Sequence, residues 1–154
     1  MTTFVAGLVL VPFSVLGFVA GKLTPRVRER FGAPLVLAGS AVIVLAAFAL
    51  FATARTNIVE LLVAMAILGF GVGSFSSAMP GVILAVTPKD ETSSAMSVNQ
   101  VVRSVGFSLG SAIGGLMLAA GTTGKFPDDT AYTVASWIGA AIMAATTVTC
   151  VVLY

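Results

Sequence analysis

Residues 34–54 read PLVLAGSAVIVLAAFALFATA, 21 positions without a charged side chain. About 20 helical residues cross the roughly 30 Å of hydrocarbon in a bilayer, so this run is long enough to span one. Only a helix or a closed barrel satisfies its backbone polar groups in lipid, and these Leu, Val, Ala and Gly residues lack the period of two that a barrel strand needs. The stretch predicts a transmembrane helix. Four further runs of the same kind lie at about 3–21, 58–86, 95–120 and 131–154. The fold expected is therefore all-α: a polytopic membrane helical bundle of five spans, forming a single membrane domain over 1–154.

Composition agrees with that reading. Hydrophobic residues make up 58% and charged residues 9% of the chain, with a mean hydropathy of +1.07, whereas about a quarter of a soluble domain is charged. The pI near 9.0 accompanies a net charge of only +2, and no basic and aromatic stripe runs along the chain to follow a phosphate backbone. Nucleic acid is excluded as a partner, and the lipid bilayer is the expected one. With one cysteine, Cys150, and no histidine, neither an internal disulfide nor a Cys/His metal site is available. No cofactor is implied.

Charge orients the bundle. The connection GKLTPRVRERFG at 21–32 carries Lys22, Arg26, Arg28 and Arg30 against Glu29 alone, half of the eight Lys and Arg in the chain. Together with Lys89, these place five cations in the loops at about 22–33 and 87–94, against Arg55 and Lys125 on the other side. Positive loops resist translocation, so the first pair is expected in the cytoplasm. The N-terminus and the loop with Asp128 and Asp129 then face outward, and Tyr154 ends at the inner boundary of the cell (inner or plasma) membrane. Tyr132, Trp137 and Tyr154 suit interfacial aromatic belts. Met1-Thr2-Thr3 has no positive n-region, so the first run reads as a span and not as a secretory signal. An outside N-terminus is unusual for a first span and hints at a segment upstream.

Pro80 interrupts the third run, since proline removes one helical hydrogen bond and clashes with the preceding turn. A kink or an ending near Ala78–Pro80 is expected there, with Val82–Val86 carrying the helix on to Thr87-Pro88. The next helix is expected to begin at Thr92, Ser93 or Ser94, with Asp90 and Glu91 favourable beside its N-terminal dipole. Glu60, in the first turn of the third span, reads as a dipole-stabilised carboxylate able to pair with Arg55.

Intramembrane proteolysis needs a Ser/His pair, two membrane aspartates or a His/Glu metal motif, and the chain has no histidine and no aspartate inside a span. No enzyme of that kind is expected. Gly69-Phe70-Gly71-Val72-Gly73 is not followed by Lys-Ser/Thr, so it reads as close helix packing and not as a phosphate loop. Met65, Phe70, Phe75 and Met79 face lipid or core, or line an apolar pocket. Gly106, Gly110 and Gly114 recur every four residues along one face of the fourth span, with Ser111 and Gly115 beside them, and Gly17 and Gly21 form a shorter pair in the first. Such small-residue faces are association surfaces in lipid, either among these five spans or against a partner that rocks on them.

Arg103 is the only charge well inside a span. Eight residues beyond Ala95 it lies about 12 Å deep, where a guanidinium costs on the order of 3 kcal/mol on insertion scales. Asn99 lies one turn earlier, with Gln100 and Ser104 adjacent. Three readings stand side by side: a cavity lining or gate, an interhelical lock, and snorkelling to the cytoplasmic headgroups.

The residues resemble the major facilitator superfamily, in particular its 14-span drug:proton antiporter branch. Gly21-Lys22-Leu23-Thr24-Pro25-Arg26, followed by Arg30-Phe31-Gly32, is similar to the cytoplasmic signature GxLxDRxGR that joins the second and third helices of the C-terminal half. The glycine run with Pro80, and the segment from Ser97 to Gly106, resemble that branch's last cytoplasmic hairpin. The resemblance implies a proton-driven exporter of amphipathic or cationic organic compounds, of which these spans would be helices 8 to 12 of the 12-helix core. Arg103 with Asn99 and Gln100 would then stand at the cytoplasmic side of the pathway, Arg26 and Arg30 at an inter-half latch, and Gly106, Gly110 and Gly114 at the moving interface. The implied partners are a small-molecule substrate, a proton and the missing N-terminal half or another membrane protein. Pro25 stands where the signature has aspartate, which puts an Asp-based relay in doubt and leaves Arg26 and Arg30 to bind opposing carboxylates. The alternative reading is a non-transporting five-span assembly or accessory protein, or an inert product of a split gene.

Overall fold

A computed structural model describes residues 3–53, 57–122 and 128–152. Five helices follow one another: α1 (Thr3–Phe31), α2 (Ala33–Thr53), α3 (Ile58–Val86), α4 (Thr92–Ala120) and α5 (Asp129–Val152). Each is long and apolar enough to cross a membrane, so the chain is a multi-pass helical membrane protein. Arg55, Lys125 and Tyr154, which entered the charge and belt arguments, lie outside the described residues.

The first boundary differs from the sequence reading. The basic stretch at 22–31 is not a loop, because α1 continues through Pro25 to Phe31. A single proline costs the helix one bond, to the carbonyl of Gly21, and leaves the other turns intact. One residue earlier, the buried Thr24 hydroxyl donates to the Ala20 carbonyl at 2.7 Å. The whole connection to α2 is Gly32, whose φ of 84° is the left-handed conformation that ends helices, with its N–H donating to the Arg28 carbonyl at 2.8 Å. Pro80 likewise does not end its helix: α3 runs through it to Val86.

Helix α3 packs closely on α1 and α2, and α5 packs on α2. Glycines make these approaches possible. A Cβ on Gly73 would stand 2.8 Å from the Gly17 Cα, and one on Gly69 would stand 2.6 Å from the Phe13 Cα, so α1 and α3 touch backbone to backbone. Gly71 faces the other way, where a Cβ would meet the Val44 nitrogen of α2 at 3.0 Å. Residues four apart share a helix face and residues two apart do not, which explains how one GxGxG run serves two neighbours. Small side chains fill the centre: Ala20, Ser40, Ala41, Ala47, Ala64 and Ala78 are all buried.

Helix α4 is different. None of its residues is buried, and it touches only α3 and α5, lightly. Its ends are fixed by short connections. Glu91 N–H donates to the Pro88 carbonyl at 3.1 Å, Gly121 N–H to the Met117 carbonyl at 3.1 Å, and Asp128 N–H to the Gly121 carbonyl at 2.9 Å.

Candidate functional site: a cationic cavity beside α4

Ser76 of α3 and Arg103 of α4 lie at the same depth. Ser76 is ten residues before the end of α3 and Arg103 eleven after the start of α4, so both stand about 15 Å from the ends that the 87–91 turn joins. The Arg103 Nη2 donates to the Ser76 hydroxyl at 3.2 Å. Its guanidinium carbon also lies 5.3 Å from the centre of the Phe107 ring, within range of a cation–π contact. Phe107 is one turn farther along α4 from the 87–91 end.

These three side chains share a cavity of about 330 Å³ with Asn99, Met79 and Phe75. Ala41, Val44 and Val72 form its back wall. Pro80 has no N–H to give the carbonyl of Ser76, four residues earlier, so the polar spot on α3 lies at the one weakened turn of that helix. A second cavity, of about 460 Å³, lies farther along α4 between α2, α3 and α5; Gly110, Gly114 and Met65 line it, as do Tyr132 and Ser136. Met143 lines both. Phe70 lines a third cleft, of about 290 Å³, with residues of α1 and α2.

Asn99 and Arg103 are thus brought together, four residues apart on the face of α4 turned to α3. Gln100 is exposed and does not line that cavity, because one residue along a helix turns the side chain by about 100°. Gly106, Gly110 and Gly114 each have open space where a Cβ would stand, whereas Gly17 and Gly21 meet α3, at the Gly69 carbonyl oxygen (3.3 Å) and the Ser77 hydroxyl (3.4 Å). Of the two glycine faces, the one on α1 is closed by a neighbouring span and the one on α4 is not.

At the cytoplasmic end expected for α1, Arg26 and Arg30 are exposed, and Arg30 lies 5.7 Å from the Phe31 ring centre. The half-buried Arg28 behaves differently. Its guanidinium occupies the place where Gly81 of α3 would carry a side chain. Neither Ser76 nor the Arg28 contact was singled out from sequence, and the available signal was positional: Ser76 precedes Pro80 by four residues, and Gly81 follows it directly.

A family model described as Major Facilitator Superfamily matches residues 1–154. The chain belongs to the major facilitator superfamily. No curated protein and no solved structure matches it. Membership in this superfamily points to a transporter of small molecules and not to an enzyme. Among the described residues, Ser76 and Arg103 are the polar pair that joins α3 to α4, one turn from Pro80.

Proposed function

We propose that the chain forms one side of the substrate pathway and inner gate of a secondary-active transporter, which in its complete form exports small molecules in exchange for protons. The observation that carries this reading is Arg103, a cation well inside a span that lines a cavity with Asn99 and Ser76. Intramembrane ionisable groups are expensive and mark substrate or ion pathways by default.

Alternating access needs two bodies moving around a central site. The open glycine face of Gly106, Gly110 and Gly114 on α4, with nothing where a Cβ would stand, suits a second membrane half or another membrane protein that slides against it and closes over the outer cavity, which Gly110 and Gly114 line, with Gln100 at the edge of that surface. Gly17 and Gly21 then belong to the static body. Arg26 and Arg30 suit a latch onto carboxylates of the same partner. All six carboxylates of the chain, Glu29, Glu60, Asp90, Glu91, Asp128 and Asp129, lie near helix ends, so in this reading the proton-binding acid belongs to the partner. The basic end of α1 faces the cytoplasm and the N-terminus faces outward across the plasma membrane.

Accumulation of a panel of fluorescent organic compounds in cells with and without the chain tests the proposal. Expression lowers accumulation of at least one compound, and Arg103→Ala at equal protein level abolishes the difference. Identical accumulation with and without the chain, for every compound, refutes transport by this polypeptide.

A further inference from the structure

The Arg103 cavity has a sign. Its cation has a neutral hydroxyl and a ring as partners, Ser76 and Phe107, and among the described residues no carboxylate forms an ion pair with it. A guanidinium carries five N–H donors in a planar fork that matches carboxylate, sulfonate or phosphate oxygens. One donor reaches Ser76, which leaves an edge of the fork available beside Asn99.

Everything else around it is apolar. Ala41, Val44, Val72, Phe75 and Met79 wall the cavity, and Met143 stands between it and the larger cavity farther along α4, lining both. The two volumes, about 330 and 460 Å³, each lie in the range of small-molecule sites. Gly110 and Gly114 bring no side chain into the outer one, whose α4 wall is otherwise Ile113, Met117 and Leu118. The arrangement is a charged head site at one end of an apolar slot.

We propose that this slot binds a monoanionic amphiphile, its head on Arg103, Asn99 and Ser76 and its chain running outward along the Gly110 and Gly114 face. The inference rests on reading Arg103 as a pathway residue and narrows the substrate class. An organic cation, which the family resemblance implied, meets an uncompensated like charge here, whereas an anion supplies the countercharge that the guanidinium lacks in a medium of low dielectric constant. A soluble organic acid and an anionic phospholipid both carry this chemistry.

Equilibrium binding of radiolabelled dodecanesulfonate to the full chain in zwitterionic nanodiscs, with empty discs subtracted, reads the proposal directly. Dodecanesulfonate binds, and dodecyltrimethylammonium does not displace it. Arg103→Gln weakens binding about tenfold or more, as loss of a charge-assisted pair does, and Arg103→Lys restores most of it. Gly110→Leu, placed where a Cβ meets nothing within 4 Å, weakens dodecanesulfonate more than hexanesulfonate by shortening the slot. In discs containing phosphatidylglycerol, a lowered apparent affinity identifies the lipid as the natural occupant, and an unchanged one identifies a soluble acid. Binding no greater than to empty discs, equal displacement by the ammonium compound, or full binding by Arg103→Gln overturns the proposal. Charge-selective binding without any effect on cellular accumulation overturns the transport reading alone, and export of cations without such binding overturns this inference alone.

Discussion

The Arg103 guanidinium donates to the Ser76 hydroxyl across 3.2 Å, and this is the side-chain hydrogen bond that joins α4 to the rest of the bundle among the described residues. The two helices it links otherwise meet only lightly. A bond between an exposed cation and a neutral hydroxyl contributes about 1 kcal/mol, yet at so sparse an interface it has few competitors in setting where α4 rests. Ser76→Ala is expected to raise amide hydrogen exchange through the middle of α4 while leaving α1–α3 protection unchanged. Equal exchange in both proteins would show that the bond does not position the helix.

The two glycine faces are expected to respond in opposite ways to the same substitution. At Gly73 a Cβ collides with the Gly17 backbone, and backbone cannot give way as a side chain can, so Gly73→Val should destabilise by about 3 kcal/mol. Gly106→Val enters open space and should stay within about 0.5 kcal/mol. Unfolding of both variants in the same detergent, followed by circular dichroism, makes the comparison.

Gly81 and Arg28 should be coupled. Any side chain at Gly81 displaces the guanidinium, so Gly81→Val is expected to loosen the basic end of α1 and expose residues 26–31 to added protease. Removing the obstructing partner should largely undo this, because Arg28→Ala/Gly81→Val again has room. A non-additive double-mutant cycle of about 1 kcal/mol or more marks residues in contact, and simple additivity would deny it.

The orientation proposed from charge can be checked independently of transport. With Cys150 replaced, single cysteines at Glu29 and at Thr122 should react with an impermeant maleimide from opposite sides of the membrane. Labelling of both from one side would contradict the five-span layout.

The helices were legible because apolar length is a direct statement of bilayer thickness, and Gly69, Gly71 and Gly73 announced close packing because only glycine permits it. The end of α1 was not legible. Lys22 and Arg26 mark where the chain leaves hydrocarbon, which is a statement about solvent, and the backbone goes on hydrogen bonding as helix for two further turns beyond that point. Gly17 and Gly106 carry the same spacing signature, yet only the first finds a neighbour, since which face meets which helix depends on how the bundle turns at 87–91. Arg103 was recognisable as unusual from its depth alone. Its pairing with Ser76 depends on the relative register of two helices, a property of the turn and not of either segment's composition.

Gly32 is a corner without slack. A loop of several residues would let the basic end of α1 move while α2 stayed still, but with one residue between Phe31 and Ala33 the two helices act as the arms of a bent lever. A pull on Arg26 or Arg30 at the water surface is therefore delivered to the membrane-embedded length of α2, and through Val44 it reaches the wall of the cavity that holds Arg103.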